Sequence, residues 1–405
     1  MNKNIETTVK KIIEDVRKKG NLAIIHYSKK YDNVLITPKN FRVKNSEIEK
    51  SEKQISNELK ISLIKAAKNI ERFHKTELKK IKKSWEIKKN GLTIGQIIQP
   101  VEKVGIYIAG GKHAFYPSIV LMSAIPARIA GVKKIIMTTP PSNAENPAVL
   151  FAAKICGIDE IYRIGGVQAI AALAFGTKTI PKVDVIIGPG SSYVTEAKRQ
   201  LFGNVGIDLL AGPSELAILC DQTADINFIT YDLLAQAEHS PEARVWLFTN
   251  SDKVIKNVVA ELARYKKISP EKFSKNQFVF VRKSIEQCIF ELNNLAPEHL
   301  QIMVKNPKSI LSKIKNAGAI FIGNFSPVAV GDYFAGPSHV LPTGSTAKFS
   351  SGLSVQTFLK KTSIIECDKI ALSKFSKHIS KIAETEGLTY HKKSIEIRIS
   401  QGGKN

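Results

Sequence analysis

The chain is poor in the features that mark several protein classes. Its 405 residues hold only four cysteines, Cys156, Cys220, Cys288 and Cys367, and none form a Cys-x-x-Cys pair. That excludes a disulfide scaffold and a zinc ribbon, and it suits a reducing compartment. No apolar run reaches the ~18 residues a membrane-spanning helix needs. The longest uncharged stretches are His113–Ala127, which contains two prolines, and Ile164–Thr177. The opening Met1-Asn-Lys-Asn-Ile-Glu6 has no apolar segment of the kind a secretory signal requires, so a cytoplasmic protein with no membrane partner is expected. Internal repeats and low-complexity linkers are absent too. Acidic residues are scarce, at 36 Asp and Glu against 60 Lys and Arg, for a formal net charge of +24.

That charge sits mostly at the two ends. Residues 1–100 carry 24 basic and 11 acidic residues, and residues 301–405 carry 15 and 6. A nucleic-acid surface would set basic residues in a stripe interleaved with stacking aromatics. Here the lysines run along helical stretches such as Lys79-Lys80-Ile81-Lys82-Lys83, as on a solvated helix face. No nucleic-acid partner is expected. With 43% hydrophobic and 24% charged residues, the composition is globular. The length allows two to three domains at roughly 150 residues each.

Residues 5–30 and 47–85 have helical apolar spacing, as in Val9, Ile12, Ile13 and Val16. From residue 92 short β-branched runs alternate with Gly or Pro turns and small-residue helices. Strands are predicted at Val104–Ala109, Lys134–Thr138, Ile161–Ile164, Val183–Ile187, Leu216–Cys220, Val245–Phe248, Phe278–Val281 and Ala319–Ile322. Helices at Val167–Phe175, Ser192–Phe202 and Asp225–His239 fall between them. This alternation reads as βαβ units in two mostly parallel sheets.

Glycine turns follow several strands: Tyr107-Ile-Ala-Gly-Gly111, Arg163-Ile-Gly-Gly166 and Ile187-Gly-Pro-Gly190. Such turns let backbone approach a phosphate at a helix N-terminus. None completes Gly-x-Gly-x-x-Gly, because Tyr193 stands where the third glycine belongs. Ordinary turn chemistry explains them equally well. Gln236 and His239, at i and i+3, share a helix face and suit either a metal pair or a solvated helix end. Glu298 and His299 in Leu295-Ala-Pro-Glu-His-Leu300 can reach one site only from non-helical chain, which Pro297 favours. A carboxylate beside an imidazole offers proton transfer near neutral pH. The lysine-free run Val330-Gly-Asp-Tyr-Phe-Ala-Gly-Pro-Ser-His339 places Asp332 and His339 as contacts, and Ala211-Gly-Pro-Ser-Glu215 presents Ser214 before a strand. Near the end, Glu386 and His391 stand five positions apart.

Taken together, from about Glu6 to Ile399, these motifs resemble the histidinol dehydrogenase family. Gly165-Gly-Val-Gln168, Val194-Thr-Glu-Ala-Lys-Arg199, Asp232-Leu-Leu-Ala-Gln-Ala-Glu-His239 and Gly331-Asp-Tyr333 join the stretches above in a specific order and spacing. The resemblance implies an α/β fold of two incomplete Rossmann-like parallel-sheet domains, with a helical N-terminal region and a small C-terminal tail domain exchanged between subunits. Residues 1–106 with 214–353 would form one discontinuous domain, 107–213 the NAD-side domain, and 354–405 the tail.

The resemblance further implies one Zn²⁺ per subunit, held by Gln236, His239, Asp332 and His391, and NAD contacted by Tyr107, Gln168 and Ser191. Ser191 stands where the family has Asn, and its hydroxyl reaches less far. Ala109 replaces a usual Pro. Glu298 and His299 match the acid/base pair. Ser214, His339 and Glu386, with the zinc ligands and His299, match contacts to the substrate L-histidinol. His391 and Glu386 would act on the neighbouring subunit of a homodimer. A related zinc- and NAD-dependent enzyme acting on another small alcohol, such as a sulfonated diol, is the alternative.

Overall fold

The computed structural model describes residues 3–81, 84–110, 115–268 and 277–400. The apolar stripe of Val9, Ile12, Ile13 and Val16 is buried on one face of α1 (Lys3–Lys19). Gly20, at φ 54°, separates α1 from α2 (Asn21–Tyr27), and one π turn follows at Ser28–Asp32. Then come α3 (Asn45–Ser51) and the long α4 (Asn57–Lys80). The helical pattern expected through residue 85 stops short. Trp85 opens β1 (Trp85–Lys89), which pairs antiparallel with β2 (Leu92–Pro100). Asn90 and Gly91, both at positive φ, make the two-residue turn that matches strand twist.

Strands and helices then alternate. The first series is β3 (Lys103–Tyr107), α5 (Pro117–Ala130), β4 (Lys134–Thr139), α6 (Pro141–Ala144), α7 (Pro147–Ile155), β5 (Glu160–Arg163), α8 (Gly166–Phe175), β6 (Val185–Ile187), α9 (Ser192–Leu201) and β7 (Gly206–Ile207). The second is β8 (Glu215–Cys220), α10 (Ile226–Ala237), β9 (Arg244–Thr249), α11 (Asp252–Ile268), β10 (Phe278–Arg282), α12 (Ile285–Leu295), β11 (His299–Met303), β12 (Ala319–Ile322) and α13 (Val328–Tyr333). The chain closes with β13 (Leu359–Cys367), α14 (Lys369–Thr385) and α15 (Thr389–Ser400).

Among the described residues each series builds a five-stranded parallel sheet. The orders are β5-β4-β3-β6-β7 and β10-β9-β8-β11-β12. Both read third, second, first, fourth, fifth, which is the Rossmann order without its sixth strand. All residues of β8 and of β11 are buried, as expected for central strands covered on both faces. The α1 stripe packs with Ile170, Leu173, Val194 and Leu201 of α8 and α9, so the N-terminal helix belongs to the core beside the first sheet.

The chain falls into two compact units: Met1–Leu78 with Val101–Phe358, and Lys79–Pro100 with Leu359–Asn405. The second unit holds the antiparallel sheet β1-β2-β13 followed by α14 and α15. Asp368 caps α14 by accepting from the Ala371 N–H at 2.8 Å. No residue of α15 is buried. Among the described residues no helix is long and apolar enough to cross a membrane.

Candidate active site

The amino ends of β8 and β11 bring together Glu298 and His299. Ala296, at φ 47°, ends α12, and Pro297 turns the chain so that Glu298 leads into β11 rather than continuing the helix. Glu298 is 6% exposed and its Oε2 accepts the backbone N–H of Glu215 at 2.8 Å. Burial, with the charges of Glu215 and Asp332 adding to it, pushes the Glu298 carboxyl well above its ordinary range. His299 is buried as well. Its Nδ1 donates to the Glu215 carbonyl at 2.9 Å, which leaves the Nε2 lone pair free, and Nε2 is buried with no hydrogen-bond partner. Burial brings the imidazole down to about 4, so the ring is neutral at neutral pH. Asp332 Oδ1 lies 3.9 Å from that Nε2. Gly318 lets β12 come close, since a Cβ there would sit 2.5 Å from the Glu298 carbonyl oxygen.

Further polar groups converge from α10 and α13. Asp225 caps α10 through the N–H groups of Asn227 and Phe228. Gln236, in its last turn, is 2% exposed and its Nε2 has no partner. The helix stops at Ala237, not at His239 as the spacing predicts. The chain must open into a turn before Pro241, and His239 stands in that turn with Nδ1 3.1 Å from the Ala235 carbonyl. Gln236 and His239 therefore come from a helix end and the following turn rather than one helix face. The start of the turn-rich run Val330–His339 is helical, in the short α13. Burial raises the Asp332 carboxyl to about 6, opposed by the charge of His239. His339 donates from Nδ1 to the Asp332 carbonyl at 3.0 Å and, like His299, keeps a buried unpartnered Nε2. Ser214 is half-buried one residue before β8. Among the described residues no three His, Cys, Asp or Glu side chains form a metal-binding group. Glu386 caps α14 and His391 lies in the first turn of α15, both in the second unit.

The carboxyl ends of the first sheet hold a different constellation. Tyr107 ends β3, and its hydroxyl accepts the Gly166 N–H at 3.1 Å. Gln168 is buried in the first turn of α8. Gly188, at φ 109°, packs so tightly that a Cβ would meet the Tyr107 carbonyl oxygen at 2.1 Å. An ion pair of Lys198 and Asp208, 3% and 1% exposed, stands behind this turn. Lys198 Nζ donates to the Gly188 carbonyl at 3.1 Å, and Asp208 Oδ2 accepts the Gly188 N–H at 2.8 Å. Ser191 is the exposed N-cap of α9, and its side chain makes no capping bond. Gly111, the end of the first glycine turn, lies outside the described residues. A cleft of about 550 Å³ is lined by Gly190, Ser191 and Ser192 on one side and by Gly212, Pro213 and Ser240 on the other.

The histidinol dehydrogenase family model matches residues 1–399. The chain belongs to the histidinol dehydrogenase family. It is 46% identical over 398 residues to a histidinol dehydrogenase of Methanococcus maripaludis, covering 97% of this chain and 93% of that one. It is 45% identical over 400 residues to one of Methanocaldococcus jannaschii, covering 97% and 92%. The crystal structure of histidinol dehydrogenase from Elizabethkingia anophelis superposes with a TM-score of 0.89 at 36% identity, covering 98% of this chain and 93% of that one.

Two motifs behind the histidinol dehydrogenase resemblance, Ala211–Glu215 and Ala296–Leu300, thus lie side by side through backbone bonds between Glu215 and its neighbours. Three contributors escaped the sequence reading. Glu215 closes one of the quoted motifs, but its backbone role leaves no mark on side-chain type. Lys198 lies in Val194–Arg199 and pairs with an aspartate ten residues on, a spacing that signals nothing without the fold. Asp32 lines a cavity beside Gln168, far away in sequence.

Proposed function

We propose that this chain oxidises L-histidinol to L-histidine through histidinal, as a cytoplasmic homodimer using NAD⁺ and zinc. The balance is one histidinol, one water and two NAD⁺ giving histidine, two NADH and three protons. The observation that carries the reading is the unpartnered Nε2 of His299 beside the buried Glu298, both anchored on the Glu215 backbone. His299 is neutral and its free lone pair takes the proton of the alcohol, and later that of the hydrated aldehyde. Glu298, its carboxyl raised by burial, takes a proton from the water that hydrates histidinal. When bound, NAD⁺ accepts the hydrides and zinc holds and polarises the substrate's polar groups.

The donors present fit zinc. His239 supplies an imidazole close enough for its charge to act on the Asp332 carboxylate, and Gln236 a buried amide with an oxygen donor. In this reading His391 of the tail completes the set from the second subunit, while Glu386 of the tail, Ser214 and His339 contact the substrate. The exposed apolar residues of the second unit support that exchange: Ile370, Ile382 and Tyr390 are 67, 61 and 88% exposed. Tyr107, Gln168 and Ser191 receive NAD at the first sheet. Residues 107–213 then serve as the cofactor domain, residues 1–106 with 214–353 as the metal and acid/base domain, and 354–405 as the exchanged tail. Measuring NADH formed per histidinol consumed by zinc-loaded protein tests the reading. Two per substrate is expected. One would mean that the reaction stops at the aldehyde, and none would overturn the proposal.

A further inference from the structure

We propose that Asp32 reads the adenosine ribose of the dinucleotide and sets a preference for NAD⁺ over NADP⁺. This rests on the dinucleotide reading of the first sheet. Sheets of this order hold the ribose hydroxyls with a carboxylate that follows the first glycine turn. Here the chain from Lys103 to Ala144 contains no Asp or Glu at all. The acid has to come from elsewhere, and the fold supplies one.

The π turn after α2 delivers Asp32 to a cavity of about 320 Å³ whose lining includes Ile12, Tyr31, Gly166, Gln168 and Tyr193. Gly166 and Gln168 open α8, and the Gly166 N–H is the one bonded to the Tyr107 hydroxyl, so the cavity adjoins the cofactor side already described. Asp32 Oδ2 is shut off from solvent and finds no hydrogen-bond partner. A carboxylate so poorly solvated gains strongly from a donor entering the cavity, and a ribose diol brings two O–H donors. Burial already lifts the carboxyl to about 6, in line with that missing solvation. Tyr193 is 43% exposed and offers a ring face to a base, whereas the Tyr31 ring is already stacked on Tyr27 with Lys30 over it. No Lys or Arg is among the lining residues, although Lys30 Nζ sits 5.2 Å from the centroid of the Tyr31 ring, so a 2′-phosphate would bring its charge against Asp32 with no cation inside the cavity.

The test compares full-length, zinc-loaded wild type with Asp32→Asn and Asp32→Ser. Steady-state rates are taken with NAD⁺ and with NADP⁺, and calorimetric titration with ADP-ribose gives binding without turnover. Asp32→Ser is expected to raise KM for NAD⁺ about tenfold, the loss of a charge-assisted hydrogen bond. KM for histidinol stays put, and the NAD⁺/NADP⁺ ratio of kcat/KM falls at least as far. ADP-ribose affinity falls in parallel, with Asp32→Asn intermediate. A cofactor ratio within twofold of wild type, in a variant with unchanged melting temperature, overturns the proposal while leaving the dehydrogenase reading intact. If wild type itself makes no NADH from histidinol, that reading fails. The ADP-ribose arm still decides on Asp32, because equal affinity in wild type and Asp32→Ser overturns it.

Discussion

The two parallel sheets share one strand order and put their chemistry at opposite ends. In the first, the carboxyl ends carry the glycine turns, Tyr107 and the starts of α8 and α9. In the second, the amino ends carry Glu215, Glu298 and His299, beside the finishing turns of α10 and α12. Its carboxyl end is closed by Asp221, which accepts the backbone N–H groups of Thr223 and Lys305. The difference follows from helix polarity. A sheet's carboxyl edge meets helix N-termini, whose free N–H groups suit an anionic pyrophosphate. Its amino edge meets helix C-termini, whose carbonyls suit a cation or a proton-accepting imidazole. Strand order alone therefore does not locate a site; the sign of the ligand's charge selects the edge.

The largest test of this contrast is His299→Ala. It is expected to lower kcat by ~10²–10⁴ while KM for NAD⁺ stays within twofold. Steady-state kinetics check it, and a matching rise in that KM would break the separation of the two ends. Gly188→Ala is the converse. Its new Cβ would meet the Tyr107 carbonyl at 2.1 Å, at a backbone angle that favours glycine. KM for NAD⁺ should rise about tenfold or more, at a cost of ~1–3 kcal/mol in local strain, with zinc content by mass spectrometry unchanged.

Proton competition gives a smaller effect on the second sheet. The Asp332 carboxyl is pushed up to about 6 by burial, and zinc binds the deprotonated form. Zinc affinity is expected to weaken up to about tenfold per pH unit below 6. Competition with a chromophoric chelator at several pH values reads this, and a flat profile would remove Asp332 from the ligand set. The smallest effect is on stability. The Glu298 carboxyl is raised in the folded chain, so the folded state holds its proton longer than the unfolded one. Stability then declines as pH rises from the ordinary carboxylate range through the folded value. Glu298→Gln should therefore melt higher than wild type in metal-free protein at pH 7.5, and the gain should vanish in acid. A lower melting temperature at both pH values would mean that the carboxylate supports the fold.

Much of the architecture was legible because period and punctuation agree. Val9, Ile12, Ile13 and Val16 mark one helix face, and the run Leu216–Cys220 marks a strand buried on both faces. Asn90-Gly91 turns a hairpin, but the helix expected over 47–85 ran into the start of β1, so the hairpin was missed. Strand β11 escaped because His299 and Gln301 interrupt its apolar pattern, and the partners their Nδ1 and Nε2 groups find, Glu215, Asp232 and Ser326, are distant in sequence. Site residues were recognisable as types in an order. The placing of Glu298, His299 and Tyr107 depends on backbone bonds and close approaches of Glu215 and Gly188, which side-chain identity does not encode.

Glu298 and His299 both hang from a single amino acid's main chain. Replacing the Glu215 side chain cannot delete the anchor, because neither bond involves it. A one-residue slip of β8 against β11, in contrast, would unhitch carboxylate and imidazole in the same stroke. Under the proposed function, anyone redirecting the enzyme toward another alcohol would inherit the pair as a fixed module, with freedom only in the residues facing it.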